Sequence, residues 1–190
     1  MRGIALALVM LILGACSAPA RLSGTELDRA TAPDFTLTDG NTGQVTTLSS
    51  LRGSVVAMAF LYTRCPDVCP LTAAQFRAAQ KQLGPDASRV RFVAVSVDPD
   101  GDTPTQVRTF SAAHELSANW SYLIGPRTQL QRVWSAYGIG AFNDETAMGA
   151  VVHNDAIYVL DAKGREREIL HSDVALKDLV ADLRALLREG

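Results

Sequence analysis

The 190-residue chain lacks the features that mark two common binding functions. It carries 18 lysine and arginine residues against 20 aspartate and glutamate residues, for a formal net charge of −2. It shows no dense basic stripe or basic tail, and this excludes an electrostatic footprint for nucleic acid. The glycine-rich loop that cradles phosphates in nucleotide sites is also missing. The sequence therefore predicts neither nucleic-acid binding nor nucleotide binding.

Cysteine is scarce as well, with three residues in the whole chain. Two of them, Cys65 and Cys69, lie only four residues apart, and a disulfide that closes so small a loop stabilises little. Stability must come from an apolar core, and a composition of 47% hydrophobic and 20% charged residues supplies one. The length suits one globular domain with a short appendage. The cysteine pair is therefore predicted to serve chemistry rather than stability.

An apolar segment lies at the N-terminus, from Ile4 to Leu13 after Arg2. It is shorter than the roughly 20 residues that span a bilayer, and it has the features of a secretion signal. Residues 13–16, Leu-Gly-Ala-Cys, resemble the lipobox of bacterial lipoproteins, in which the peptide is cleaved before the cysteine and the cysteine carries lipid. The alternative is an ordinary signal peptide in which Cys16 has no role.

This pattern predicts three segments: a lipoprotein signal peptide at residues 1–15, a lipidated Cys16 with a flexible tether at 16–33, and a folded domain at 34–190. Residues 17–33 show no apolar period, which is typical of a tether. The domain is expected to be exported and lipid-anchored to a bacterial membrane, in the periplasm or outside the cytoplasmic membrane, where disulfides are permitted. The choice between inner and outer membrane stays open.

Strands and helices alternate along the predicted domain. Strands are expected at 35–37, 44–48, 54–62, 90–97, 120–124, 156–160 and 165–170, and helices at 70–83, 103–114, 130–137 and 176–187. The segment 54–62 is almost continuously apolar, which is typical of a strand buried on both faces of a parallel sheet. We therefore expect an α/β layered domain with a central mixed sheet flanked by helices, plus an N-terminal hairpin at 35–48.

The motif Cys65-Pro-Asp-Val-Cys69 follows the predicted buried strand and opens a predicted helix. If Pro66 begins the first helical turn, the i, i+4 spacing places both sulfurs on one face. The N–H groups of that turn favour a thiolate, which is both the nucleophile and the metal ligand. Two thiolates select soft ions such as Cu(I), and they are also close enough to form a disulfide. The alternative is a pair of buried, inert cysteines.

Residues 55–70, VVAMAFLYTRCPDVCP, closely resemble the Sco/SenC family of membrane-tethered copper chaperones for cytochrome c oxidase assembly. The similarity continues at Val97-Asp98-Pro99 with Asp102-Thr103, at His153, and at residues 161–164. Order and spacing match over nearly all of residues 34–190. The resemblance implies a thioredoxin-like fold for this domain.

The resemblance also implies that the ligands of Cu(I) or Cu(II) are Cys65, Cys69 and His153. The family usually has an aspartate before this histidine, whereas this chain has Val152, and Asp155 stands two residues after it. The missing carboxylate would weaken the orientation of the imidazole but leaves the ligand in place. A Cys2His set also suits zinc by ligand type, although the resemblance favours copper.

Two functions follow from this ligand set. The first is a metallochaperone that delivers copper to the copper-bearing subunit of a cytochrome c oxidase, with other exported copper chaperones or thiol reductases as further partners. The second is a thiol-disulfide oxidoreductase in which Cys65 and Cys69 act as a redox pair on an oxidase subunit or another exported partner. Dithiol exchange does not need His153, so this residue discriminates between them. A peroxidase is a weaker third hypothesis, because Thr63 lies only two residues before Cys65 and does not match the usual Thr-x-x-Cys arrangement.

Further residues could contact a metal or a partner: His114, His171, Met148, Asp67, Asp98, Asp102 and Thr103. The expected roles of the first three are structural, as a half-buried helix residue, a solvated turn residue and a loop-packing residue in that order. Asp67 is expected to be exposed between the cysteines. The last three are predicted to form a turn and a helix cap, with a contact to the site or to a partner as the alternative.

Overall fold

The computed structural model describes residues 21–116, 119–140, 142–144, 150–152 and 155–190, and within these ranges the chain forms ten strands and four α-helices. The strands are β1 (Thr25–Glu26), β2 (Thr36–Asp39), β3 (Val45–Thr47), β4 (Val55–Leu61), β5 (Val90–Ser96), β6 (Trp120–Ile124), β7 (Phe142–Asp144), β8 (Ala150–Val152), β9 (Ile157–Leu160) and β10 (Glu166–Leu170). The helices are α1 (Val68–Leu83), α2 (Pro104–Ala113), α3 (Arg127–Ala136) and α4 (Leu176–Glu189). None of the helices in the described ranges is long and apolar enough to span a membrane.

Eight of these strands form one mixed sheet in the order β1-β10-β9-β4-β5-β6-β2-β3. Strands β4, β5 and β6 run parallel, whereas β9 is antiparallel to β4 and β2 is antiparallel to β6. Strands β7 and β8 pair separately. The predicted α/β class with a central mixed sheet is confirmed, and so is the early hairpin, which is β2 paired antiparallel to β3.

Strand β4 is the centre of the core, because all seven of its residues are buried. Phe92 of the neighbouring strand β5 packs on Phe76 of α1, with ring centroids 5.1 Å apart. Phe60 of β4 packs on Tyr137 at the end of α3, with centroids 5.7 Å apart. Phe60 pairs with Val95, three residues from Phe92, so the two phenylalanines point to opposite faces. Helical segments therefore cover both faces of β4, as its continuous apolar sequence predicted.

Residues 22–32 belong to the folded domain, so the prediction of a flexible tether reaching residue 33 is wrong for this stretch. Strand β1 pairs antiparallel with β10, with Thr25 opposite Ile169, and Leu22 and Ala32 are buried. The physical reason is that β10 would otherwise present an unpaired edge, which β1 covers. A two-residue strand carries no periodic pattern, and for this reason the sequence did not indicate it.

Two buried carboxylates lie beneath this N-terminal segment. Gly24 N–H donates to Glu168 Oε2 at 2.8 Å, and both the N–H and the hydroxyl of Ser23 donate to Asp182 Oδ2, the former at 3.2 Å. Burial raises the pKa of Glu168 to about 7, and the nearby Asp182 carboxylate adds to the shift, whereas Arg167 opposes it. The segment is thus held on the domain by hydrogen bonds to two buried carboxyl groups.

We expect a chain that begins at Asp34 to be less stable than one that begins at Arg21. Burying Leu22 alone contributes about 1.5–3 kcal/mol, and the shorter chain also leaves the edge of β10 unpaired. Chemical denaturation of the two chains at equal pH measures the difference in the free energy of unfolding. Equal midpoints would contradict the docking of residues 22–32.

We expect Glu168→Gln to stabilise the protein at pH 8 and to change it little at pH 4.5. Because folding raises this pKa from 4.5 to about 7, the folded chain binds more protons than the unfolded chain between these values, and stability falls as the pH rises through them. Replacing the carboxyl group removes this loss, on the order of 2–3 kcal/mol at pH 8. Denaturation at both pH values tests it, with the exposed Glu26→Gln as the matched control. A gain of equal size at pH 4.5 and pH 8 would contradict the assignment.

Candidate metal centre

The cysteine motif lies at the edge of the sheet where the parallel strands β4 and β5 both end. Leu61, the last residue of β4, pairs with Ser96, the last residue of β5. The turn after β4 and the loop after β5 therefore emerge side by side. In sheets with parallel strands this edge is the usual place for a binding site. Residues 62–65, which we call the cysteine turn, lead from β4 into the motif.

Cys65 precedes α1, and Cys69 is the second residue of this helix. The predicted helical turn starting at Pro66 is therefore wrong, since the helix begins at Val68 and Asp67 before it has φ −133° and ψ −92°. The cause is a local turn: Cys65 N–H donates to the Tyr62 carbonyl at 3.2 Å, which closes the cysteine turn before the helix begins. The i, i+4 argument for a shared helix face does not apply.

The two cysteines nevertheless contact each other. Both are thiols and not a disulfide, and Cys69 N–H donates a hydrogen bond to Cys65 Sγ at 3.4 Å. The side chain of Asp67, at the capping position, makes no hydrogen bond to the helix. Cys65 Sγ thus accepts from one of the amides of the first turn of α1, for which the helix itself offers no carbonyl partner. An N–H of the first helical turn thus reaches the Cys65 sulfur, as expected for a cysteine at a strand–helix junction.

The two cysteines differ in how deeply they are buried. Cys65 is 8% exposed and Cys69 is completely buried. The pKa of Cys69 is raised well above its ordinary value, first because its thiol hydrogen-bonds to Cys65 and second because burial disfavours the charged form. Cys65 is therefore the less buried of the two cysteines, and Cys69 holds its proton until a metal ion or a disulfide bond replaces it.

A buried carboxylate from the loop after β5 binds the cysteine turn. Asp102, which is 3% exposed, accepts from Thr63 N–H at 2.8 Å and from the Thr63 hydroxyl at 2.7 Å, both through Oδ1. Its Oδ2 accepts from the hydroxyls of Ser96 at 2.6 Å and Tyr122 at 3.0 Å. Burial raises the pKa of Asp102, and these hydrogen bonds oppose the shift.

A second carboxylate of the same loop binds the next residue of the turn. Asp98 forms an ion pair with Arg64 at 2.7 Å, in which the arginine side chain is 62% exposed and the aspartate side chain 6%. Thr103 caps α2 by accepting from Gln106 N–H at 3.3 Å, as the sequence predicted. The predicted turn is also present, because Gly101 N–H and Asp102 N–H both donate to the Asp98 carbonyl. In addition, Asp98 and Asp102 make the contact with the site that was left open as the alternative. The signal for it in the sequence was the resemblance of residues 97–103 to the Sco/SenC family.

The other histidines have structural partners, as expected. His114 ends α2, is half-buried and stacks on Phe110 with ring centroids 4.5 Å apart. His171 is in a turn, with 59% of its side chain exposed, and its Nδ1 lies 2.9 Å from Asp155 Oδ1. Burial alone would raise the pKa of Asp155, but hydrogen bonds from His171 and Ser172 outweigh it and lower this pKa to about 2. Neither histidine joins the cysteines.

Three predicted residues, Cys16, Met148 and His153, lie outside the described residues. Within the part of the chain that the structure describes, no three His, Cys, Asp or Glu side chains are grouped as a metal ion would require. Of the three predicted metal ligands, the described residues therefore include Cys65 and Cys69. Asp67 is exposed beside it, as predicted.

This chain is similar in sequence to a known protein family. The family model described as SCO1/SenC matches residues 23–188. A SCO1 protein homolog of Bacillus subtilis is 26% identical over 147 residues, which cover 75% of this chain and 76% of that protein.

Solved structures agree in fold. ScoI of Bradyrhizobium japonicum with copper bound is 30% identical, with a TM-score of 0.73 over 83% of this chain and 99% of that one. Apo Sco1 of Thermus thermophilus is 28% identical, with a TM-score of 0.76 over 87% of this chain and 97% of that one. The predicted thioredoxin-like fold is thereby confirmed. Because the family match begins with the docked N-terminal segment and runs into the last helix, the chain belongs to the SCO1/SenC family.

Proposed function

We propose that this protein carries one copper ion on Cys65, Cys69 and His153 and delivers it to the copper-bearing subunit of a cytochrome c oxidase during assembly. The observation that carries the proposal is the contact between the two cysteines, with Cys69 N–H 3.4 Å from Cys65 Sγ at the edge of the sheet. The resemblance of the CPDVC motif to the Sco/SenC family supplies His153 as the third ligand.

The donor set fits copper in chemistry. Two sulfurs that are brought together select a soft ion such as Cu(I), and a neutral imidazole is a suitable third donor for Cu(I) or Cu(II). Binding must displace the proton that Cys69 holds, so copper uptake releases protons and weakens as the pH falls. Copper bound in the Bradyrhizobium japonicum relative, at 30% identity, supports the same cargo for this chain.

The proposed anchor is a lipid on Cys16 after cleavage of residues 1–15. Because the domain already begins near Leu22, the link between lipid and domain is short, on the order of 20 Å when fully extended at about 3.3 Å per residue. The copper site would therefore work close to the membrane surface, where the copper-bearing subunit of an oxidase is held. The remainder of residues 16–33 serves the fold rather than the tether.

A second function, reduction of a partner's disulfide, is favoured by the unequal environments of the two sulfurs. The Cys65 thiolate attacks the partner disulfide, forms a mixed disulfide and releases one partner thiolate. Cys69 then loses its proton and attacks Cys65 Sγ, which releases the second partner thiolate. Two electrons pass to the partner, and Cys65–Cys69 becomes the disulfide. A partner whose copper site is a dithiol could need both reduction and metallation.

We expect the reduced protein in detergent to bind one equivalent of Cu(I) under anaerobic conditions. Competition with a Cu(I) chelator measures the affinity, which Cys65→Ser and Cys69→Ser should abolish. His153→Ala should lower it by at least the roughly tenfold that loss of a residue orienting a ligand costs, because a proposed ligand itself is lost. His114→Ala is the matched control, because this histidine packs on Phe110 away from the cysteines. Binding that survives both cysteine changes would contradict the copper site.

We expect His153→Ala to block copper-dependent oxidase maturation in cells while leaving dithiol exchange intact. The imidazole is needed only to hold the metal, so the purified variant should still reduce a small disulfide at a rate within about twofold of the wild type. Oxidase activity in cells and disulfide reduction in vitro are the two measurements. Normal oxidase activity with His153→Ala would favour the oxidoreductase over the chaperone.

A further inference from the structure

The buried carboxylate of Asp102 makes two hydrogen bonds to Thr63 in the cysteine turn. Four hydrogen bonds converge on Asp102, and their donors, Thr63, Ser96 and Tyr122, stand at or near the ends of β4 and β5 and within β6. An ionised carboxylate only accepts hydrogen bonds, and two donors on each oxygen satisfy it. Asp102 thus joins the ends of adjacent parallel strands beneath the cysteines.

Because the cysteine turn is short, fixing Thr63 also restrains the position of Cys65. Thr63 is bound twice by Asp102, and Cys65 N–H is bound to the Tyr62 carbonyl at 3.2 Å. One residue, Arg64, separates these two fixed points. The direction from which Cys65 Sγ meets Cys69 N–H therefore depends on where Thr63 is held.

Arg64 itself is held in the same way but more weakly. Its guanidinium lies over Gly101, where a Cβ atom would come within 2.6 Å of Arg64 Nη2 and would also clash with Asp98. A glycine is therefore required for Arg64 to reach Asp98. This ion pair is largely exposed on the arginine side, and such pairs contribute little. Asp102 is the principal restraint.

We propose that Asp102 is a positioning residue for the metal site: acting through Thr63, it fixes the cysteine turn so that Cys65 Sγ stays in contact with Cys69 N–H and the two sulfurs are pre-arranged for a metal ion. The metal-binding half of this proposal rests on the proposed function. The positioning half concerns the apo protein and stands independently. A purely structural role would instead lower the overall stability and leave the local properties of Cys65 unchanged.

Four variants separate these roles. Thr63→Val removes one hydrogen bond to Asp102 at nearly constant volume, and Thr63→Ser retains the hydroxyl. Asp102→Asn turns one carboxylate oxygen into a donor, so two of the four donors lose their acceptor. Asp161→Asn is the control for stability, because Asp161 is also buried and accepts from Lys163 and Arg165. Asp161 is the residue after β9 and lies next to the start of β4, whereas Cys65 follows the end of β4.

The first measurement is alkylation of Cys65 in the reduced, full-length protein in detergent, followed by mass spectrometry across a range of pH. The rate at the high-pH plateau reports how far the turn exposes the sulfur, independently of its ionisation. We expect Thr63→Val and Asp102→Asn to raise this plateau about fivefold or more, roughly the effect of losing one hydrogen bond of about 1 kcal/mol. Thr63→Ser should restore the wild-type rate, and Asp161→Asn should leave it unchanged.

The second measurement is Cu(I) affinity by chelator competition on the same variants. We expect a loss of about tenfold for Thr63→Val and Asp102→Asn, as is usual when a residue that orients a metal ligand is changed, with recovery in Thr63→Ser. If the wild type binds no Cu(I), the proposed function fails and the alkylation rates alone decide the positioning role.

The proposal is overturned if Thr63→Val and Asp102→Asn lower the unfolding midpoint as Asp161→Asn does but leave the plateau alkylation rate within twofold of the wild type. Should Asp102→Asn fail to fold, the comparison of Thr63→Val with Thr63→Ser decides the question by itself. That pair changes one hydroxyl group and leaves the buried carboxylate in place.

Discussion

The parallel pairing of β4 with β5 is the constraint on which the rest of the structure depends. It aligns Leu61 with Ser96 and so brings the cysteine turn and the Asp98–Asp102 loop to the same edge of the sheet. Both strands are buried, with Arg91 the exception, and a shift of register by one residue would turn apolar side chains away from their packing partners. Burial of the two strands thus fixes the relative position of the two loops that form the site.

The chemistry of the site follows from placing two sulfurs above a buried acid. The pKa of Cys69 is raised first by its hydrogen bond to Cys65 and by burial, and the charges of Cys65 and Asp102 add to this shift. This environment opposes a second negative charge on the sulfurs. Cys69 therefore loses its proton most readily when a metal ion brings a compensating positive charge. The same environment suits a resolving thiol that reacts only after Cys65 has formed a mixed disulfide. The two proposed functions, copper transport and thiol exchange, would therefore use the same geometry.

Docking of the N-terminal segment connects the fold to its proposed place in the cell. Strand β1 covers the edge strand β10, and Ser23 and Gly24 donate to Asp182 and Glu168. A segment that interacts so closely with the domain cannot also be a free tether. The lipid proposed on Cys16 would therefore hold the domain on a short link, and delivery would depend on the oxidase subunit coming to the same membrane surface.

By itself the sequence indicated most of the regular elements, the class of fold and a pair of cysteines at a strand–helix junction. A nearly continuous apolar run marked the buried strand β4, apolar spacing or a capping residue marked the helices, and the CPDVC motif indicated a sulfur site at a strand–helix junction. These are all local patterns. Tertiary structure alone decided that residues 22–32 join the sheet and that Asp102 binds Thr63. These features rest on contacts between residues far apart in the chain, 39 residues for Asp102 and Thr63 and 159 for Ser23 and Asp182. No local period encodes such contacts, because they exist only once the strands have paired.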